Sequence, residues 1–303
     1  MKYRSGIIVS MATNDSVETK NSDKVKRITS YDVFRGLLLV CMVFFHLLVN
    51  LSDVKFDQNY FYFVPLGFML FLGVILGQFL KGSSRKVLVL GAKLAAIFFV
   101  FNVPKFVSLF SGEGSLAQLD LVKLAVGDQK IFSFEILLPM SLVAFASIGI
   151  WRVGRVVRGR VASGCGAGII SSVVATVVAT VALISLLTYM YFVNVYSYNL
   201  SFFIYGLIGY FIGENLDLDG IARRMSGWKL IVVFVAIVAP FFVIGRFGIV
   251  EVLVILQVLA LYFLVTKAFD KNKFLIFLGK NSLALYIAHI VVIKAVMGIV
   301  GSG

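Results

Sequence analysis

Charge is what this chain has least of. Asp, Glu, Lys and Arg make up 14% of its 303 residues, against 60% hydrophobic ones, where a soluble domain carries about 25% charged residues. That shortfall excludes an ordinary water-soluble domain. Cysteine is almost missing too. Cys41 and Cys165 lie in or beside apolar stretches, each without a nearby partner, which excludes a disulfide framework and a thiolate metal spacing. There are 4 prolines and 2 histidines. No internal repeat, coiled coil or Gly-rich phosphate loop stands out. The net charge of +13 would suggest nucleic acid in a soluble protein. Here it reads as a topology signal, with no nucleic-acid partner.

What is present in quantity is apolar sequence in long runs. Nine segments approach the ~20 residues a bilayer crossing needs, at about 33–51, 61–80, 87–108, 131–151, 167–190, 199–214, 229–245, 248–266 and 275–299. The connections alternate in charge. Those at 81–86, 152–160, 215–229 and 267–273 are basic, most clearly around Arg152, Arg155, Arg158 and Arg160, whereas the others are not. Basic loops stay on the cytoplasmic side. The polar N-terminal stretch carries one short apolar patch, Ile7 to Met11, too short for a signal-peptide core. The expectation is an all-α, polytopic helical bundle of about nine transmembrane helices in the cell membrane. Its N-terminus is cytoplasmic and its C-terminus outside. A disordered cytoplasmic tail (1–29) precedes one membrane domain (30–303), and a tenth, re-entrant piece fits within 111–130. The small-residue run Ser163 to Gly168 and the spacing of Gly206, Gly209 and Gly213 suit close helix packing.

Ionisable groups inside a bilayer are costly and mark functional sites by default. The first helix holds Asp32, Arg35, His46 and Asn50. At 100° per residue they fall within a stripe roughly 60° wide, and the other faces are apolar. Asp32 and Arg35 lie at the cytoplasmic boundary, where an i,i+3 pair could instead anchor the helix start. His46 lies about 20 Å along the helix from residue 33 at 1.5 Å per residue. A neutral imidazole there suits general-base work near neutral pH, or a structural hydrogen bond. The other histidine, His289, shares a face with Ser282 and Tyr286 at i, i+4, i+7 spacing on the last helix. That helix also runs from inside to outside, with His289 about 20 Å along it from residue 275 or 276, so the two histidines are expected at nearly the same depth. Two histidines are too few for a metal site. Glu135 and Glu251 sit just inside the outer boundary, where they orient a histidine, bind an acceptor hydroxyl or simply meet solvent. Lys93 and Lys280 lie in the cytoplasmic part of their helices, placed to meet a phosphate-rich donor or to snorkel.

The stretch Arg27-Ile-Thr-Ser-Tyr-Asp32-Val-Phe-Arg35-Gly36 through His46 resembles the opening helix of the transmembrane acyltransferase superfamily. It is nearest the heparan-α-glucosaminide N-acetyltransferase catalytic-domain family, with its Asp-x-x-Arg-Gly start. The Arg35-x10-His46 spacing also resembles the related acyltransferase-3 branch. Gly67-Phe-Met-Leu-Phe-Leu-Gly73 resembles the second helix. Leu278-Gly279-Lys280-Asn281-Ser282-Leu283, with Tyr286 and His289 beyond, is similar to the closing helix. The two specific matches cover about a sixth of the chain, at its ends.

The resemblance implies acyl transfer from cytoplasmic acyl-CoA, acetyl-CoA in the first instance, to a glycan or lipid-linked acceptor. His46 would be the general base or, in a variant, the acyl carrier. Arg35 would bind donor phosphate or pantetheine groups, a role its planar fork suits, with Asp32 holding it. Lys93 and Lys280 would assist at the donor. His289, Ser282, Asn281, Asn50 and Glu135 would line the substrate cavity. Related first helices carry an acid soon after the histidine. Asn50 stands there in this chain, so Glu135 or Glu251 would have to supply it. No metal is implied, and oligomeric state is left open. A competing reading is a transporter or flippase in which His46, Lys93 and Glu135 line a path, although no inverted repeats are evident.

Overall fold

A computed structural model describes residues 28–51, 63–80, 84–110, 136–161, 198–225 and 249–300, with isolated positions 183, 227 and 232. Residues 1–27 of the expected tail, the crossings at 167–190 and 229–245 apart from those isolated positions, the 111–130 connection and Glu135 lie outside the described residues. Within them the chain is entirely helical. The helices are α1 (Thr29–Leu51), α2 (Phe63–Phe79), α3 (Ser84–Phe110), α4 (Leu137–Val161), α5 (Tyr198–Asn215), α6 (Leu218–Arg224), α7 (Ile249–Phe269), α8 (Lys273–Lys280) and α9 (Ser282–Val300).

Two of these are long and apolar enough to cross a membrane: Thr29–Leu48 in α1 and Ser84–Val107 in α3, with 20 and 24 residues. At 1.5 Å per residue they reach about 30 and 36 Å, enough for a hydrocarbon core of about 30 Å. The bent pair α8–α9 makes a third if counted as one span. The apolar parts of α2, α4 and α7 are shorter. The 17 residues of α2 span only about 26 Å.

Glycine sets how closely the helices approach. On α2, Gly73 abuts the backbone of Gly206 and Tyr210, and Gly77 that of Tyr210 and Glu214. On α5, Gly209 lies against the Leu70 carbonyl and Gly213 against that of Val74. A Cβ at any of the four would collide with main chain rather than with a movable side chain. These small residues let two backbones meet where large apolar side chains would hold them apart. The rising register, 70 with 209 and 74 with 213, makes α2 and α5 parallel. By contrast α1 and α2 are antiparallel: Gln78 Nε2 donates to Tyr31 Oη at 2.6 Å, Phe34 meets Phe71 with ring centroids 4.4 Å apart, and Gly67 faces Leu38. The main core is built from both pairs together with α7, including the fully buried Phe34, Leu38, Phe71, Tyr210 and Tyr262.

Three polar groups inside this apolar body are satisfied locally. Ser141 and Ser147 donate to the carbonyls of Leu138 and Ala144, and Asn102 to that of Phe98. Such bonds back along the same helix need no second polar partner.

The segment expected to be one helix over 275–299 is broken. Between α8 and α9 the axis turns by 80° at Asn281. The Asn281 N–H reaches back to the Phe277 and Gly279 carbonyls, closing α8. The Asn281 carbonyl then accepts from the Leu285 N–H at 3.0 Å, opening α9. A single residue caps both helices, so the backbone polar groups stay paired through the elbow.

Candidate functional site

The site starts where α1 crosses α8. A Cβ on Gly279 would fall onto the carbonyl, carbon and Cα of Asp32, and one on Gly36 onto the Leu275 carbonyl. With glycine on both sides the helices touch backbone to backbone. That contact buries Asp32 to 4% exposure, and the elbow after Gly279 then swings the start of α9 alongside α1.

The guanidinium of Arg35 is within reach of Ser282, and its Nη2 donates to the Ser282 Oγ. Ser282 is buried. Farther along, the His46 and His289 rings meet with centroids 5.4 Å apart and planes inclined by 38°. Tyr286 packs its ring edge against His289, also at 5.4 Å. The polar stripe of α1 and the Ser282–Tyr286–His289 face of α9 therefore confront each other. The elbow changes how this comes about. The straight-helix depth argument fails, because the first six residues of the expected helix, 275–280, belong to α8 and run across α1 rather than beside it.

His289 is held in one tautomer. Its Nδ1 lies 3.2 Å from the Leu285 carbonyl, which can only accept, so in the neutral ring the proton sits on Nδ1 and the lone pair on Nε2. Nε2 is buried and has no hydrogen-bond partner among the described residues. A buried base with an unmade bond is placed to receive a substrate hydrogen.

A cavity of about 170 Å³ lies between α1, α2, α3, α4 and α9. Arg35, Ser282 and Tyr286 supply its polar groups; the remaining lining, with Met42, Phe68 and Leu94 among it, is apolar. His46 and His289 do not line it. They stand one turn beyond its Met42 and Tyr286 walls, four and three residues farther along their helices.

The other expected residues divide. Asn281 is exposed at the elbow, its Nδ2 bonded to the Phe277 carbonyl at 2.9 Å. Lys280 and Lys93 are exposed and outside the cavity. Asn50 lies in the last turn of α1 and Glu251 in the first of α7; their side chains are outside the described residues.

A second polar cluster, not anticipated from the sequence, ties helix ends together. Ser30 Oγ donates to Asp219 Oδ1 at 2.7 Å. That uses its only proton, so Tyr262 Oη donates to Ser30 at 3.0 Å. Asp219 also holds Arg223 at 2.9 Å, and Lys267 donates to the Arg223 carbonyl at 3.0 Å. The start of α1, α6 and the end of α7 are thereby fixed at one end of the bundle. In sequence, Asp219 and Arg223 were simply part of a basic connection. The cavity walls were hidden for another reason: an apolar residue in a uniformly apolar helix gives no periodic contrast.

Comparison with protein-family models, with curated proteins and with solved structures returns no match.

Proposed function

We propose that this protein is a multi-pass membrane acyltransferase, with a cytoplasmic N-terminus and about nine crossings. It moves an acyl group from cytoplasmic acyl-CoA to a hydroxyl or amine of a glycan or lipid-linked acceptor. One observation carries the reading: the two polar faces, from opposite ends of the chain, meet in pairs, Arg35 with Ser282 and His46 with His289. The clustering of basic Arg223 and Lys267 beside the start of α1 supports a cytoplasmic end there.

The chemistry follows from the order of groups along α1. Arg35 binds the polar part of the donor arm at the cytoplasmic side of the cavity, and the arm runs through the apolar slot toward the histidines. His46 takes the proton from the acceptor hydroxyl or amine as its oxygen or nitrogen attacks the thioester carbonyl. The tetrahedral intermediate collapses, the C–S bond breaks, and the coenzyme A thiolate leaves with the electron pair. The proton held on His46 returns to that sulfur. His289, with its lone pair on Nε2, accepts from a second N–H or a neighbouring hydroxyl of the acceptor and so leaves the reacting hydrogen to His46. Asp32 holds the Arg35 end of the helix. The transporter reading would put His46, Lys93 and Glu135 along one path; His46 instead meets His289, and that pairing favours acyl transfer.

The test is an assay of the purified full chain with radiolabelled acetyl-CoA, scoring transfer and thioester hydrolysis. Removal of a general base costs about 10²–10⁴ in rate, and His46→Ala is expected to lose that much. Activity in that variant equal to the unmodified chain, or gradient-driven uptake without thioester cleavage, overturns the proposal.

A further inference from the structure

The cavity beside Arg35 has a definite size and polar groups at its two ends, and together they restrict what fits. Dry cavities of about 150 Å³ hold a benzene-sized group. A volume of about 170 Å³ therefore takes about seven non-hydrogen atoms. Arg35 and Ser282 mark one end. Met42, seven residues on along α1, lies about 10 Å away at the level of Tyr286. Phe68 forms the wall between them, because the antiparallel register of α1 and α2 sets it beside Leu38. An apolar wall penalises any buried amide or hydroxyl left without a partner, so the polar atoms of an occupant belong at the Arg35–Ser282 end or beside Tyr286.

We infer that this slot holds the thioester end of the donor, and that Met42 and Phe68 limit the acyl group to about two or three carbons. The inference rests on the acyl-transfer reading and narrows its substrate. The four atoms of the cysteamine unit and the three of an acetyl group fill the volume. The amide of the donor arm then meets the guanidinium of Arg35, which offers five N–H donors. The thioester carbonyl comes level with Tyr286, one turn below His46 and His289, where an acceptor arriving from the far side reaches it. A longer acyl chain would have to displace Met42. Misfit of one methylene in a filled apolar pocket costs roughly 10–200-fold in selectivity.

The experiment is displacement of radiolabelled acetyl-CoA from the purified full chain by unlabelled acetyl-, propionyl-, butyryl- and hexanoyl-CoA, which needs no acceptor. Acetyl-CoA is expected to compete best and propionyl-CoA next, with hexanoyl-CoA at least tenfold weaker than acetyl-CoA. Met42→Ala and Phe68→Leu, each removing part of the wall, are both expected to recover hexanoyl-CoA by about tenfold. Equal competition at every length, or a chain-length profile unmoved in both variants, overturns the inference while leaving acyl transfer standing. Failure of acetyl-CoA itself to bind overturns both.

Discussion

Replacing Gly279 by alanine should disturb the candidate site although the new methyl touches no substrate. A Cβ there lands on the main chain of Asp32, meeting its carbonyl oxygen, carbon and Cα together. Main chain in the first turn of a packed helix cannot step aside as a side-chain tip can. Helix α8 must therefore move off α1, and α9, joined through Asn281, moves with it. Overpacking of this kind costs about 1–3 kcal/mol, only partly offset by the better helix propensity of alanine, about 1 kcal/mol. The site is affected more than the stability. Arg35 and Ser282 are three residues from the contact on either side, and a misplacement of about 1 Å can cost 10²-fold in rate. The internal control is Gly149→Ala on α4, where a Cβ meets nothing within 4 Å. That change should leave activity alone and leave the melting temperature equal or slightly higher. Thermal unfolding of the purified protein, followed by loss of the monodisperse chromatographic peak, and acetyl-CoA turnover on the same samples provide the readouts. If Gly279→Ala behaves like Gly149→Ala in both, the backbone contact does not position the site.

Ser282→Ala removes the acceptor for Arg35, a hydrogen bond to a charged group worth about 1.5–3 kcal/mol; donor KM should rise more than tenfold, with Ser282→Thr recovering part of the loss. At His289, Gln places a polar atom near the former Nε2 and Asn near the former Nδ1. If Nε2 is the working atom, His289→Gln should retain more turnover than His289→Asn; the opposite order would reassign the role to the Leu285 contact. Tyr262→Phe strips Ser30 of one partner in the cluster joining α1, α6 and α7. It should lower stability by about 1 kcal/mol while leaving the KM for acetyl-CoA unchanged, because that cluster lies outside the cavity.

Much of this was legible in the amino-acid order. Hydrophobic runs and scarce charge dictate helices, because a backbone in lipid must satisfy its own hydrogen bonds. The polar stripe of α1 and the Ser282–Tyr286–His289 face follow from helical geometry alone, and in the structure Arg35 and His46 of the first meet Ser282 and His289 of the second. The small-residue spacing of Gly206, Gly209 and Gly213 likewise marked a helix contact, though not its partner. Three matters needed the tertiary fold. The elbow at Asn281 was invisible, because Gly279-Lys280-Asn281-Ser282 can continue a helix or end one, and only the crossing of α8 over Gly36 makes ending it favourable. The pairings of Arg35 with Ser282 and of His46 with His289 join residues more than 240 positions apart, and no local periodicity encodes which faces meet. The slot, finally, is lined by residues indistinguishable in sequence from those that face lipid. In an apolar helix every face is hydrophobic, so what separates a cavity wall from the outside is only which neighbour packs against it.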